Sequence, residues 1–351
     1  MEFATSSDPI VNLAFWTGLA VIFIIIFLVL YVLSLRYMLI RDERRRRLFV
    51  DTWRPILIRS LESIPDVLPP VKKKDWPVLF NLWNHFHESL RGSAKDNLNE
   101  IARKAGMLQV AGRLLKKRKV RPRLAAITTL GLLREKTVWE EIKNAAVDEH
   151  PSVSLAAMRA LIRIDEERAM PFIIPLISAR TDWPPARVAN ILHEASPHVI
   201  CAALADAVLH SPESHIPLLI RYFETIACDS STVVLRQVID KFPSTAVISA
   251  CLHAFKSPDA LDIVRKNLTH AAWHVRVQAV RALGKMGLIY DKYILINMLC
   301  DQQWWVRYRA AQALSSLPFI SIADLEKIRN EQTDRYAKDI LVQVIAEKKM
   351  A

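Results

Sequence analysis

The sequence predicts an all-α protein in which a single N-terminal transmembrane helix precedes an α-solenoid of stacked helix pairs. Three observations lead to this prediction: an uncharged apolar run near the N-terminus, segments that recur about every 31 residues, and a scarcity of glycine, with seven in 351 residues. So few glycines disfavour strand-and-turn folds and glycine-lined phosphate loops. The apolar fraction of 52% is sufficient for a substantial core.

The apolar run VNLAFWTGLAVIFIIIFLVLYVLSL occupies residues 11–35 and contains no charged side chain. A helix needs about 20 apolar residues to cross the hydrocarbon core of a bilayer, and this run has 25. A buried core helix would have a polar face, and a cleaved signal peptide would have basic residues in front of a shorter apolar region. We therefore interpret residues 11–35 as a retained transmembrane helix that follows a short extracytoplasmic N-terminus, residues 1–10.

The charged residues that flank this run predict its orientation. Glu2 and Asp8 precede it without any basic residue, whereas Arg36, Arg41 and the arginines at 44–47 follow it. Basic residues remain on the cytoplasmic side of a membrane helix. The sequence therefore predicts a single-pass membrane protein with its N-terminus outside and the bulk of the chain in the cytoplasm. We further expect the membrane to be the bacterial inner membrane, which the flanking charges themselves do not indicate.

The excess positive charge behind the net charge of +12 lies in residues 36–123, directly after the apolar run. Residues 36–123 hold 22 Lys and Arg against 9 Asp and Glu, whereas residues 124–351 hold 26 against 25. Basic clusters beside a membrane helix attract anionic lipid headgroups. The predicted headgroup contacts are Arg44, Arg45, Arg46, Arg47, Lys72, Lys73, Lys74, Lys116 and Lys117. Alternatively, the arginines only orient the helix, and the lysines face an acidic partner or solvent. The nearly neutral distal part disfavours nucleic acid as a partner.

Beyond residue 120 the sequence repeats itself. LAAITTLGL (124–132) aligns with LAAMRALIR (155–163), and VRVQAVRALGKMG (275–287) aligns with VRYRAAQALSSLP (306–318), each at an offset of 31. A period of this size is typical of stacked helix pairs, and the apolar residues of each copy have the spacing of one helix face. A large apolar anchor residue recurs at Leu130, Leu161, Leu192, Phe223, Leu283 and Leu314.

These copies resemble the HEAT repeat in its short bacterial form. The resemblance is carried by DEHPSVSLAAMRAL (148–161), WHVRVQAVRALGKMG (273–287) and DQQWWVRYRAAQAL (301–314), which place a turn, Val-Arg, spaced alanines and a leucine in order. His270 in the acidic position of the turn, Ser154 in the arginine position and weak copies over 184–255 depart from the pattern. The resemblance implies an armadillo-type superhelix over residues 76–351, and it implies no particular activity.

Two adjacent tryptophans stand out in the last clear copy. Trp304 aligns with Trp273 and is expected to pack against the next repeat, whereas Trp305 has no aligned tryptophan and is expected to be exposed. Adjacent residues of a helix point about 100° apart, so the two indoles are not expected to form one platform. Because Trp, Tyr and Arg are frequent in binding hot spots, the predicted protein-binding residues are Trp183, Trp305, Tyr308 and Arg309.

Two polar interactions are also expected in the turns. Arg307 aligns with Arg276 and is expected to bond acids or carbonyls of a neighbouring repeat. Asp182, in the segment RTDWPP, is expected to cap the helix that follows it.

The sequence predicts no catalytic, cofactor or metal site. In HFHE, His85 and His87 lie about 200° apart on a helix and are interpreted as part of a polar face. None of the cysteines forms a CxxC pair, and all are interpreted as free core residues in a reducing cytoplasm. These cysteines are Cys201, Cys228, Cys251 and Cys300.

The basic segment at residues 36–75 leaves two interpretations open. RRRRLFVDTWRPILIRSLESI (44–64) is either a helix along the membrane surface or the capping element of the solenoid. PDVLPPVKKKDWP (65–77) is interpreted as a linker, with the solenoid beginning near Trp76.

Taken together, these features predict a membrane-anchored cytoplasmic scaffold or adaptor without enzymatic activity or cofactor. It would bind partner proteins at the membrane, for example in an assembly that makes or exports envelope glycan. One alternative is an enzyme, because HEAT-like lyases and glycosylases exist. The other is a lipid- or nucleic-acid-binding module that uses the basic third of the chain.

The basic clusters lead to a test with liposomes. We expect residues 36–123, freed of the apolar run, to bind vesicles that contain anionic lipid. Added salt should weaken this binding, because exposed charges are screened over about 10 Å at 0.1 M ionic strength. Replacing residues 72–74 and 116–119 by glutamate should reduce the co-sedimented fraction. Unchanged co-sedimentation would show that these clusters do not contact lipid.

Overall fold

The computed structural model describes residues 9–226, 228 and 231–350. Within this part of the chain every regular element is helical, which confirms the predicted all-α class. The chain divides into two compact units, Met1–Val138 and Trp139–Ala351.

The first unit contains five α-helices among its described residues. They are α1 (Pro9–Arg59), α2 (Trp76–Ser89), α3 (Ala94–Lys104), α4 (Met107–Leu115) and α5 (Val120–Leu132). Each contacts the next helix along the chain, and α2 also packs against α5. Phe80 and Trp83 of α2 are fully buried, and the Trp83 indole donates a hydrogen bond to the Leu98 carbonyl at 2.8 Å. Gly106, with a φ of +78°, permits the sharp turn between α3 and α4.

Helix α1 has two halves with opposite surroundings. All side chains at residues 15–35 are exposed, and the most apolar window of the helix has a mean hydropathy of 3.0. By length and composition this half can cross a membrane. In the other half, Trp53 and Leu57 are 1% and 0% exposed. One continuous helix therefore joins the apolar run to the folded unit, and the buried side chains favour the capping element over a helix along the membrane surface.

The second unit contains helices in two rows, which we call the odd row and the even row. The odd row is α7 (Pro151–Ile164), α9 (Pro185–Leu192), α11 (Ile216–Ile226), α13 (Thr245–Ala254), α15 (Trp273–Met286), α17 (Trp304–Ser316) and α19 (Arg335–Met350). The even row is α6 (Trp139–Ala146), α8 (Glu166–Ala179), α10 (Pro197–His210), α12 (Ser231–Lys241), α14 (Leu261–Lys266), α16 (Asp291–Met298) and α18 (Ile322–Glu331). Each odd-row helix contacts the next odd-row helix, and the even-row helices pack against the odd row. The unit is thus an α-solenoid of stacked helix pairs, as predicted.

The recurring apolar residues form the core between the helices. All six predicted anchor residues are at most 1% exposed. Leu252, which is also fully buried, lies within the long step between Phe223 and Leu283. The six predicted anchor positions are therefore core positions. The step of 60 residues from Phe223 to Leu283 divides at Leu252 into 29 and 31 residues, and not into the two repeats of 30 that the spacing suggests.

Small residues let α15 and α17 approach closely. A Cβ atom added to Gly284 would lie 2.7 Å from the Cβ atom of Ala313, a distance that real side chains do not tolerate. The Ser316 hydroxyl lies 3.4 Å from the Gly284 carbonyl. The alanines and the glycine of the repeat pattern therefore set the separation of these helices.

Lysine side chains hold the C-terminal ends of odd-row helices. The ammonium groups of Lys256, Lys285 and Lys348 donate to carbonyls of Glu224 at 2.8 Å, His253 at 3.4 Å and Ser315 at 2.5 Å. These carbonyls belong to the last turns of the preceding odd-row helices, which lack intrahelical partners and carry partial negative charge. Several basic residues of the second unit are thus used inside the fold.

The contact at Gly284 leads to a stability test. We expect Gly284→Ala to lower the free energy of unfolding by about 1–2 kcal/mol, because overpacking outweighs the better helix propensity of alanine. Gly112→Ala is the control, since an added Cβ meets nothing within 4 Å there and should be neutral or stabilising. Equal midpoints of denaturant unfolding for Gly284→Ala and the parent would contradict this account.

Candidate interaction surface

Guanidinium groups hold the turns that precede the odd-row helices. Arg276 donates from Nη1 to the His270 carbonyl at 2.9 Å, and from Nε and Nη2 to the two carboxylate oxygens of Asp301, each at 2.8 Å. Arg307 donates to the Asp301 carbonyl at 2.8 Å. Arg307 therefore bonds the turn before its own helix, so the prediction that it bonds a neighbouring repeat is wrong. Arg276 is the residue that reaches the next repeat. The hydrogen bonds to Asp301 raise the pKa of Arg276 above its ordinary value.

The repeat that has Ser154 in the arginine position receives its guanidinium from the next repeat. Arg180 donates to the Asp148 carbonyl at 2.7 Å, which is the turn position that Arg276 and Arg307 bond in their own repeats. Ser154 Oγ instead accepts a hydrogen bond from Trp183 Nε1 at 3.0 Å. This departure from the repeat pattern is therefore compensated in space.

Trp183 is a packing residue, so its predicted role in protein binding is wrong. Its side chain is 4% exposed, and the Arg180 guanidinium lies 5.1 Å from the centre of its ring. The partner Ser154 is 29 residues away in sequence, and the local segment RTDWPP gives no indication of it.

Asp182 does not cap helix α9, contrary to expectation. Its carboxylate accepts hydrogen bonds from Arg180 Nε at 2.9 Å and Nη2 at 2.6 Å. The N-cap position of α9 is occupied by Pro184, whose side chain has no hydrogen-bond acceptor. The bonds to Arg180 lower the pKa of Asp182.

The side chains of Trp304, Trp305 and Tyr308 form one exposed aromatic cluster. The two indole centroids lie 4.7 Å apart in an edge-to-face contact, and the Tyr308 ring stacks on Trp304 at 5.1 Å. Trp304 is 42% exposed and Trp305 is 51% exposed. Trp304 is therefore not buried, contrary to the prediction. The two indoles touch, but their planes are 81° apart, so they form no flat platform, in agreement with the prediction. Helix geometry fixes the directions of the Cβ atoms, but rotation about the side-chain bonds brings large adjacent rings together.

Tyr308 and Arg309 complete this cluster. The Tyr308 hydroxyl donates to the Glu347 carboxylate at 3.1 Å and accepts from Gln312 Nε2 at 2.8 Å. Arg309 donates to Gln312 Oε1 at 2.5 Å, with its guanidinium 5.7 Å from the centre of the Tyr308 ring. Desolvation, followed by the bond to Glu347, raises the pKa of Tyr308. Internal hydrogen bonds thus fix the side chains of Tyr308 and Arg309. Trp305 is the more exposed of the two predicted aromatic residues in this cluster.

The predicted headgroup residues are at the surface, with one exception. The side chains of Arg44, Arg46, Arg47, Lys72, Lys73, Lys74, Lys116 and Lys117 are exposed. Arg45 is 34% exposed, and its Nε lies 3.3 Å from the buried carboxylate of Asp75, at the start of α2. Arg45 therefore has a structural contact, and lipid binding by the other residues stays a prediction.

His87 is buried, which corrects its assignment to a polar face. It is 5% exposed, its ring lies 4.8 Å from that of Trp83, and its Nε2 is 3.1 Å from Asn99 Oδ1. Within the described ranges, no group of three His, Cys, Asp or Glu side chains is placed to hold a metal ion.

Cys201 and Cys228 form a disulfide, so the prediction that every cysteine is free is wrong. Their Cα atoms are 5.8 Å apart, in the usual range for such pairs. Cys251 is buried and Cys300 is exposed, and burial raises the pKa of Cys251 to about 12. No local motif marks a pair separated by 27 residues. Disulfides persist mainly in oxidising compartments, so this pair is in conflict with the predicted cytoplasmic location.

Residues 240–315 match the family model of HEAT repeats. This stretch contains α15 and α17, whose sequences carried two of the three resemblances, so the predicted resemblance is confirmed there. No curated protein matches the sequence.

Several solved structures match the chain at low similarity. An engineered protein is 17% identical, over 83% of this chain and 88% of its own, with a TM-score of 0.31. The CpcE–CpcF complex of phycocyanin lyase from Nostoc sp. PCC7120 is 18% identical, over 69% and 88%, with a TM-score of 0.29. Importin beta is 14% identical, over 79% of this chain and 46% of its own, with a TM-score of 0.37. At such values these structures support no inference about function.

The bonds of Arg276 to the His270 carbonyl and the Asp301 carboxylate, which we call the arginine clamp, lead to a second stability test. We expect Arg276→Met to lower the free energy of unfolding by about 3 kcal/mol, because it leaves the mostly buried Asp301 carboxylate without its bidentate partner. Lys266→Met on α14 is the control and should change stability by less than about 0.5 kcal/mol, because Lys266 is exposed. Equal effects of the two substitutions in urea denaturation would rule out a special role for the clamp.

Proposed function

We propose that the chain is a membrane-anchored HEAT-repeat scaffold that binds partner proteins at the membrane. The observation that carries this proposal is helix α1. Its exposed apolar half suits a bilayer, and its other half is packed in the first unit through Trp53 and Leu57. The same helix would therefore be both the anchor and a structural part of the folded protein.

Contacts close to the apolar run support a position of the first unit next to the membrane. Arg45, which lies 3.3 Å from Asp75, is ten residues beyond Leu35, the end of the apolar run, and thus about 15 Å further along the helix axis. The exposed lysines at 72–74 form the turn directly before Asp75. At this height they would stand just outside the headgroup layer, within a screening length of about 10 Å from anionic lipid. This geometry supports a headgroup contact by Lys72–Lys74, which we propose together with the exposed arginines.

The second unit supplies the binding surface in this proposal. Stacked helix pairs present a long row of side chains to partners, and Trp305, Tyr308 and Arg309 are residue types common in hot spots. We propose other proteins as the partners, and no enzymatic activity. The envelope-glycan assembly stays a prediction, because it rests on no residue of this chain.

We also propose that the repeats face the cytoplasm. Six arginines lie within residues 36–47, directly after the apolar run, and none precedes it. The disulfide is the opposing observation. In a reducing compartment Cys201 and Cys228 would lie side by side as thiols, and the compartment therefore decides their oxidation state.

Topology and anchoring can be tested on the full chain in a bacterial host. We expect the chain to remain in membranes after alkaline carbonate extraction, and a C-terminal phosphatase fusion to be inactive, because that enzyme requires an oxidising compartment. A C-terminal fluorescent-protein fusion, which matures in the cytoplasm, is the positive control.

Thiol alkylation adds an independent readout. Cys201 and Cys228 should be labelled without prior reduction if the repeats are cytoplasmic. An active phosphatase with an unlabelled pair would place the repeats on the oxidising side. Release by carbonate would contradict the anchor itself.

A further inference from the structure

Arginines recur on one face of the odd-row helices. The positions two and five residues before an anchor residue are one helical turn apart and share a face. In five helices, α7, α9, α11, α15 and α17, one of these two positions is arginine and the other is small, apolar or an amide. We call these residues the arginine stripe: Arg159, Arg187, Arg221, Arg281 and Arg309. Helix α13 lies between α11 and α15 and contributes no arginine.

The charge of the second unit is unevenly divided between its two rows. Helices α7, α9, α11, α13, α15 and α17 contain nine Lys and Arg and a single acidic residue, Glu224. The even-row helices from α8 to α18 contain eight Lys and Arg against nine Asp and Glu. The net charge of residues 124–351 is therefore close to zero although the odd row is strongly basic.

Most of the stripe is available to a ligand. Arg187 and Arg221 are exposed and Arg281 is half-buried, and the structure gives their guanidinium groups no hydrogen bond or ion pair with any residue it describes. Arg159 pairs with Glu194 at 2.8 Å, and Arg309 is bonded to Gln312. Three guanidinium groups are thus free to bind anions: two on the adjacent helices α9 and α11, and one on α15, beyond α13.

Two grooves open along the stripe. The first has a volume of about 310 Å³ and is lined by Arg159, Arg187 and Asn190 of α7 and α9. The second, of about 260 Å³, is lined by Arg221 and Glu224 of α11, His253 of α13 and Gln278 of α15. Glu224 is the one acidic side chain in its lining, and its carboxylate lies 3.7 Å from His253 Nε2. Trp305 precedes Arg309 by four residues, so it lies on the same helix face at the end of the row. The face therefore offers cationic and amide donors in grooves, followed by one large aromatic ring.

We propose that the arginine stripe binds an extended acidic segment of a partner protein, with an apolar side chain of that segment held against Trp305. This inference rests on the proposed scaffold function and specifies the chemistry of its partner. Guanidinium groups bind carboxylates in bidentate geometry, and Arg clusters are a recurring means of recognising acidic motifs. Packed helices are about 8–10 Å apart and an extended chain advances about 3.3 Å per residue, so the stripe matches an acidic residue at about every third position.

A polypeptide fits this face better than a nucleic acid. Single-stranded nucleic acids bind where aromatic side chains alternate with basic ones, because successive bases stack on the rings. Here the exposed aromatic cluster stands at α17, and the stripe positions and amide positions on α7, α9, α11 and α15 contain no aromatic side chain. We therefore assign a carboxylate-bearing chain to the stripe, and nucleic acid becomes an outcome of the test.

The test uses the full chain in detergent micelles and fluorescence anisotropy of three labelled probes. The first is a peptide of five Glu-Gly-Ser repeats followed by leucine. The second replaces every Glu by Gln, and the third is an oligothymidylate of similar length. We expect the acidic peptide to bind, with an affinity that falls as salt is added. The amide peptide should bind at least about tenfold more weakly, which corresponds to 1.4 kcal/mol.

Charge reversal then locates the binding face. The triple variant Arg187→Glu, Arg221→Glu, Arg281→Glu should weaken binding of the acidic peptide by at least about tenfold. The matched control, Lys266→Glu, Lys292→Glu, Lys327→Glu on α14, α16 and α18, changes the net charge equally and should stay within about twofold. Trp305→Ala should weaken binding severalfold without a change in thermal midpoint. The thermal midpoints of both triple variants identify any loss of fold, and the single variant Arg221→Glu replaces an unfolded triple variant.

Three outcomes would overturn the inference. They are no anisotropy change with the acidic peptide at concentrations up to about 0.1 mM, equal weakening by the two folded triple variants, or tighter binding of the oligothymidylate than of the peptide. Because the probe binds in micelles, the result does not depend on anchoring. Peptide binding by a chain that carbonate releases from membranes would reject the proposed anchor and retain the stripe.

Discussion

The guanidinium clamp on the interhelical turns is the interaction on which the geometry of the repeats depends. A turn between helices exposes carbonyls that no helix satisfies, and the fork of an arginine can bond these carbonyls and a carboxylate at once. Arg276 does both, and so it connects the turn before α15 with the turn before α17. Where Ser154 takes the arginine position, Arg180 of the next repeat bonds the equivalent carbonyl. The contact is thus preserved although the residue that makes it moves.

The parts of the structure that could be predicted from the sequence are those that a period or a composition reveals. The burial of anchor residues such as Leu161 and Leu283 could be predicted, because each recurs at the same point of a helix pair. Such a period is visible in the sequence without any knowledge of contacts. The apolar run of α1 is predictable for the same reason, since length and composition suffice. The continuation of α1 into the first unit was less visible, because Trp53 and Leu57 are buried by other helices of that unit.

The failures concern residues whose surroundings are decided by other parts of the chain. The local sequence around Trp183 is that of an exposed turn. In the structure its indole N–H donates to Ser154, which is 29 residues earlier and cannot be identified from the sequence. Trp304 occupies a repeat position, but that position is the first residue of a helix, where the side chain can turn to solvent. The cysteine pair is invisible because its members are on different elements. The excess of Lys and Arg on the odd row could not be predicted either, because a net charge summed over many residues does not show how that charge is divided between two helix rows.

The continuous helix α1 has a mechanical consequence if it crosses the membrane as proposed. A domain on a flexible tether rotates freely above the bilayer, whereas a domain built on the transmembrane helix takes only the orientations that the tilt of this helix permits, about 0–40° from the bilayer normal. The first unit would then present the same side to every molecule diffusing in the plane of the membrane. Part of the rotational entropy that association normally costs would be lost before any encounter, and a weak contact could suffice for capture.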